Sequence, residues 1–178
     1  MSFTFEKLKL NGLILITPQI FTDERGWFCE TYKKEDFFQN DIFDIFRQDN
    51  HSRSYKNVLR GLHFQKKFYQ AKIVRCIKGK ILDVAVDIDP NSSTFKQWES
   101  VVLSADNHRM LYLPETYAHG FLVLSDKAEI VYKCSNIYNA QYDAGIRWND
   151  PDLNIDWGIS NPIMSDKDLN LPFLKDIF

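Results

Sequence analysis

From Val58 onward the chain is a succession of short apolar segments cut by turn signals at regular intervals. The segments 58–65, 71–77, 80–88, 97–104, 109–114, 119–124 and 128–136 read as strands. Lys78-Gly79-Lys80, Asp89-Pro90-Asn91, Ala105-Asp106-Asn107 and Ser125-Asp126-Lys127 separate them. Gly, Pro, Asn and Asp adopt backbone conformations that end strands, and many short strands so spaced predict a sandwich or barrel. Upstream, residues 3–17 alternate loosely (Phe3, Phe5, Leu8, Leu10, Leu13, Leu15) and predict one or two strands ending at Pro18. Asp23-Glu24-Arg25-Gly26 reads as a turn, and Trp27 to Tyr32 as a return to strand. Lys33 to Phe46 mixes charges with paired aromatics and predicts one or two short helices. Gln48 to Ser52 is a polar strand or loop. Asp150-Pro151-Asp152, Asn161-Pro162 and Leu171-Pro172 interrupt the last forty residues, which read as a wrapping tail.

A length of 178 residues fits one domain, 1–178, with 44% hydrophobic and 15% aromatic residues to build its core. The net charge is -2 and both signs are mixed along the chain. Lys33-Lys34 and Lys66-Lys67 are the only adjacent lysine pairs, so neither nucleic acid nor an anionic membrane is an expected partner. Cys29, Cys76 and Cys134 are odd in number and lack zinc spacing, which suits reduced thiols. The N-terminal region has no sustained apolar run, and a cytoplasmic location is expected.

Chemistry-bearing residues concentrate in Arg60-Gly61-Leu62-His63-Phe64-Gln65 and Lys72. In an extended strand Leu62 and Phe64 point away from His63. The same alternation groups Lys72, Val74 and Cys76 on one face, Asp83, Ala85 and Asp87 on another, and Ile130, Tyr132 and Cys134 on a third. A small barrel could gather His63, Lys72, Asp83 and Tyr132 in one interior, although either face of each strand could point inward. On the residues alone His63 reads equally as a core histidine or a general base. Lys72 reads as a surface lysine, Asp83 as a paired buried carboxylate, Tyr132 as a packing residue, His119 as a strand cap and Asp168 as a solvated tail charge. A metal site is not expected: no His-x-His occurs among the four histidines. The glycine pattern of a dinucleotide fold is also absent.

Eight segments in order change that balance. They are Gln48-Asp49-Asn50-His51-Ser52, Val58 to Gln65, Gln70-Ala71-Lys72, Asp83 to Asp87, Ala118-His119-Gly120-Phe121, Tyr132-Lys133-Cys134, Trp148 to Asp152 and Ser165 to Asp168. Together they resemble the dTDP-4-dehydrorhamnose 3,5-epimerase family. The resemblance implies a mostly β, cupin-type double-stranded β-helix (a jelly-roll barrel) with short helices and an irregular C-terminal tail. It implies a nucleotide-diphosphate-linked 4-keto-6-deoxy sugar as substrate, no cofactor or metal, and a homodimer in which N-terminal strands are exchanged. It assigns His63 as base oriented by Asp168, Lys72 as stabiliser of the enolate oxygen and Tyr132 as the acid on the opposite ring face. Arg60, Arg25, Gln48 and Asn50 would bind substrate, with Glu30 and Trp27 near the nucleotide. His119 and Asp83 would line the site, Asp83 holding Lys72, and Tyr138 and Trp148 would border it. Three segments depart from the family pattern: Lys66-Lys67-Phe68-Tyr69, Pro114-Glu115-Thr116-Tyr117 and Arg25-Gly26-Trp27. At the rim they leave open a GDP-linked 4-keto heptose. An epimerase acting at one carbon, or a non-catalytic sugar-nucleotide-binding cupin, are the alternatives.

Overall fold

A computed structural model describes residues 2–177. The strands are β1 (Phe3–Lys7), β2 (Ile14–Pro18), β3 (Phe21–Asp23), β4 (Gly26–Phe28), β5 (Gln48–Tyr55), β6 (Leu59–Gln65), β7 (Lys72–Lys78) and β8 (Lys80–Asp87). They continue with β9 (Trp98–Ser104), β10 (Met110–Leu113), β11 (Tyr117–Val123), β12 (Lys127–Cys134) and β13 (Asp143–Gly145). Two α-helical turns occur, α1 (Lys34–Phe38) and α2 (Asp166–Leu169), with a 3-10 turn at Leu174–Asp176. No helix among the described residues is long and apolar enough to cross a membrane.

One sheet runs β1-β2-β10-β7-β12-β5 and the facing sheet runs β13-β6-β11-β8-β9, as in a jelly roll. The β3–β4 hairpin stands apart from both. Between the sheets Leu15, Val74, Cys76, Ile81, Ala85, Leu111, Phe121, Val123 and Ile130 form an apolar core. These are the inward positions that alternation assigns to each strand. The outer face of the five-stranded sheet is covered too. Leu59, Leu62, Phe64, Val84, Val86 and Leu122 pack there against Ile146, Leu153, Trp157 and Leu174 of the tail. Burial on both faces explains why β8 reads as an almost unbroken apolar run. Phe37 of α1 and Ile42 cover Ile14, Ile16, Ile73 and Met110 on the outer face of the other sheet.

The tail is fastened to β6 by backbone bonds. Leu62 and Ile146 exchange N–H to carbonyl bonds of 3.1 and 2.9 Å, and Leu59 N donates to Ile163 O at 3.0 Å. Buried Asp150 accepts from the N–H groups of Asp152, Leu153 and Leu174. This anchoring carries α2, and with it Asp168, back to the middle of β6.

Gln48 to Ser52, read as strand or loop, is the start of a full strand, β5, paired along its length with β12, and the one or two short helices expected between Lys33 and Phe46 are the single α1. Two segments differ from expectation. Strand geometry after Trp27 ends at Phe28 and does not continue to Tyr32. β13, three residues on the edge of the five-stranded sheet, carried no alternation long enough to read.

Candidate active site

The apolar core fills only part of the space between the sheets. The remainder is a cavity of about 350 Å³ lined mainly by polar side chains, among them His63, Lys72, His119, Tyr132, Arg60 and Asn50. Alternation brings most of them there. Gln48, Asn50 and Ser52 on β5, Lys72 on β7, and Ile130, Tyr132 and Cys134 on β12 share the inward face of their strands.

Arg60 and His63 are three residues apart, so a regular strand would point them to opposite sides. Both line the cavity because β6 bulges against β11. His63 pairs with His119 while Arg60 pairs with Phe121, leaving Gly61 and Leu62 opposite Gly120 alone. Gly61 makes this possible. Its φ is +118°, and a Cβ there would lie 2.6 Å from Gly120 Cα. The N–H of Gly61, turned out of the ladder, donates to Asp168 Oδ2 at 3.3 Å. The other carboxylate oxygen, Oδ1, lies 2.8 Å from His63 Nε2.

Asp168 is 4% exposed, and burial alone would raise its carboxyl pKa. The bonds from His63, Gly61 N–H and Ser165 outweigh that and hold it below the ordinary carboxylate range. An ionised carboxylate only accepts hydrogen bonds, so Nε2 of His63 carries the hydrogen. In the neutral imidazole the lone pair is then on Nδ1, which is the form a general base requires. Ser165 caps α2 by accepting from Asp168 N at 3.1 Å, which fixes where the carboxylate sits.

Lys72 is buried and reaches back to the His63 carbonyl at 3.5 Å. Burial lowers its pKa, and the negative or polarisable groups Cys134, Asp83 and Asp143 partly offset that. Burial, then Cys134, raises the Tyr132 phenol while Arg60 opposes, so Tyr132 keeps its proton at neutral pH. His63 stands on the five-stranded sheet and Tyr132 on the six-stranded one, so a proton acceptor and a proton donor face each other across the cavity.

Asp83 is fully buried behind His119, with its oxygens 3.0 and 2.9 Å from His119 Nε2. It orients His119, not Lys72, and does not itself line the cavity; this corrects the expected Asp83–Lys72 pairing. Gln48 lines the cavity, but its amide is engaged by Tyr138 N at 2.8 Å and Asn50 Oδ1 at 2.9 Å. Tyr138 also lines it, its hydroxyl donating to Asp143 Oδ2 at 2.9 Å. Trp148 does not. It packs against the outer-face core, where its carbonyl accepts from Trp157 Nε1. Arg25, Trp27 and Glu30 are not brought to this chain's cavity. Arg25 pairs with Asp23 in the β3–β4 turn, and Trp27 is 57% exposed against His108.

Lining residues that sequence reasoning missed include Asp143, Lys167, Gln65 and Phe121. Lys167 forms an ion pair with Asp143 at the rim. Both sit on elements of three or four residues, where no periodicity marks a face. Gln65 was within reach, because it lies two residues after His63 on the same face.

Comparison with known proteins places the chain in a family. Residues 7–176 match the family model described as dTDP-4-dehydrorhamnose 3,5-epimerase. The chain is similar to the dTDP-4-dehydrorhamnose 3,5-epimerase of Methanothermobacter thermautotrophicus, at 48% identity over 98% of this chain and 96% of that one. It superposes on the crystal structure of the Elizabethkingia anophelis protein of that name with TM-score 0.96 and 44% identity, covering 99% of both chains. A Legionella pneumophila dTDP-6-deoxy-D-glucose-3,5-epimerase, solved in complex with dTDP-4-keto-L-rhamnose, superposes with TM-score 0.95 and 40% identity over 99% of this chain and 95% of that one.

Proposed function

Because the chain belongs to the dTDP-4-dehydrorhamnose 3,5-epimerase family of isomerases, we propose that its cavity inverts both C3 and C5 of dTDP-4-keto-6-deoxyglucose, giving dTDP-4-keto-L-rhamnose. The observation that carries the reading is the His63–Asp168 pair set across one cavity from Tyr132, with the Lys72 ammonium between the sheets beside them. A hydrogen on a carbon next to a ketone is acidic enough to remove only if the electrons passing to O4 are stabilised. His63 takes the hydrogen on one face of the ring, and Asp168 stabilises the imidazolium that forms. Lys72 donates to O4, where a fixed donor in a water-poor site is worth more than the same donor in solvent. Tyr132 returns a proton to the other face of the same carbon, which inverts it. Solvent then restores both groups, and the second carbon follows by the same steps. Arg60 at the mouth is suited to the diphosphate, since a guanidinium binds phosphate oxygens in pairs.

The unit that acts is 1–178 as a whole, because the tail supplies Asp168 to a base on β6. We also propose a homodimer in which the N-terminal hairpin crosses to a second copy. Phe21, Trp27 and Phe28 are 48%, 57% and 64% exposed on β3–β4. Three large aromatics on one hairpin suit a covering partner. Arg25, Trp27 and Glu30 would then serve the second copy's cavity. Light scattering should return the mass of two chains, and a single-chain mass would remove this part of the reading. Nothing in the site favours the GDP-linked heptose over the dTDP-linked hexose.

The test is proton NMR of dTDP-4-keto-6-deoxyglucose incubated with the protein. Ring couplings of the rhamno configuration are expected, and substrate returned unchanged would contradict the reading. Tyr132→Phe should retain exchange of substrate hydrogens with solvent, since His63 still removes them, while formation of inverted product falls by about 10²-fold. Unchanged turnover in that variant would remove Tyr132 as the acid.

A further inference from the structure

We infer that Gln65 is a positioning residue that joins two rim loops and thereby sets Tyr138 over the cavity mouth. The inference rests on the reading that this cavity binds a sugar nucleotide. Gln65 lies two residues after His63 on the inward face of β6 and is 3% exposed. Its Nε2 donates to Phe68 O at 2.7 Å, and its Oε1 accepts from Asn139 N at 2.7 Å. One buried amide therefore ties the loop 66–71 to the loop 135–142.

The preceding N–H in the second loop, that of Tyr138, donates to Gln48 Oε1 at 2.8 Å. Two successive backbone N–H groups are thus held by two glutamines from strands of facing sheets, Gln48 on β5 and Gln65 on β6. The loop is fixed from both walls of the cavity at the residue that lines its mouth. Further bonds make the two loops one body. Gln70 Nε2 donates to Asn136 O and Asn136 Nδ2 to Tyr69 O, at 2.8 and 2.7 Å, and Ala71 N donates to Ser135 Oγ at 2.9 Å. Phe68, whose carbonyl Gln65 holds, has a φ of +54°, which a non-glycine residue keeps only where its surroundings fix it. Position 68 lies in the segment Lys66 to Tyr69, so Gln65 makes the conformation of that segment felt at Tyr138.

The test compares Gln65→Met and Gln65→Glu with the parent protein. Methionine keeps the volume and removes both bonds. KM for the 4-keto sugar nucleotide and Kd for dTDP should rise about ten-fold, with kcat within about two-fold of the parent. Amide exchange at 136–142 and 66–70 should quicken, and this readout does not require activity. Glutamate keeps the acceptor, and when protonated it also regains the donor to Phe68 O. The Kd of Gln65→Glu for dTDP should therefore approach the parent's as pH falls from 8 to 5, while Gln65→Met, measured beside it, shows no such recovery. Unchanged KM and exchange in Gln65→Met would overturn the inference. So would a loss confined to kcat, or a Gln65→Glu affinity that tracks Gln65→Met at every pH. Failure of the functional reading is distinguishable, because it shows as a parent protein that neither binds dTDP nor turns over the sugar nucleotide.

Discussion

His63→Ala should remove turnover and hydrogen exchange together. A positioned general base contributes about 10²–10⁴ in rate, and the same group is proposed to open both inversions, so neither carbon should exchange. The expected effect differs in kind from that of Tyr132→Phe, which should leave proton removal in place. The substitution also strips a partner from Asp168, leaving a nearly buried carboxylate with the Gly61 N–H. Loss of one charge-assisted bond there should destabilise the protein by about 1–3 kcal/mol. Chemical denaturation gives that figure, and NMR in heavy water gives the exchange. Retained exchange at either carbon would show that another group is the base.

Lys72→Met should separate activity from stability. Without the ammonium the developing charge on O4 would lose the cation proposed to stabilise it, and kcat should fall by about 10²–10³. Stability should move the other way. Lys72 is buried, its side-chain hydrogen bond among the described residues is a long 3.5 Å contact to a carbonyl, and burial lowers its pKa. A lowered lysine pKa means that the unfolded chain binds the proton more tightly than the folded one. The ammonium therefore opposes folding at neutral pH, and the opposition fades as pH rises from the depressed folded value toward the ordinary 10.5. Methionine has a similar shape and no charge to desolvate. The variant should be at least as stable as the parent at pH 7 and should lose the parent's rise in stability with pH in that window. Lower stability accompanied by full activity would place Lys72 in the architecture and outside the chemistry.

Much of this site is visible in strand alternation alone. Lys72 with Val74 and Cys76, and Tyr132 with Ile130 and Cys134, share the faces that period two assigns, because each strand lies in a sheet whose inner side is a core. Alternation fails where the backbone leaves the strand. The bulge at Gly61 and Leu62 is what lets Arg60 and His63 face the same cavity. A lone glycine hints at such a site, but the register shift is a property of the pair β6–β11. Asp168 looks like a solvated tail charge because the bonds that return α2 to β6 join residues about a hundred positions apart. Only resemblance to a family pointed to it. Asp83 reads as a paired carboxylate and is one, with His119 as its partner in place of Lys72. Its inward neighbour across the ladder is β11, which presents His119, while Lys72 stands on the facing sheet. The rim pair Asp143 and Lys167 sits on elements too short to carry a pattern.

One base, one acid and one cation between two sheets are proposed to invert the two carbons flanking a ketone. The most direct measurement is deuterium incorporation into dTDP-4-keto-6-deoxyglucose in heavy water, followed by NMR. Deuterium at both C3 and C5, with rhamno product, is the result predicted. Deuterium at one carbon would limit the enzyme to a single inversion, and tight binding with deuterium at neither would contradict the account.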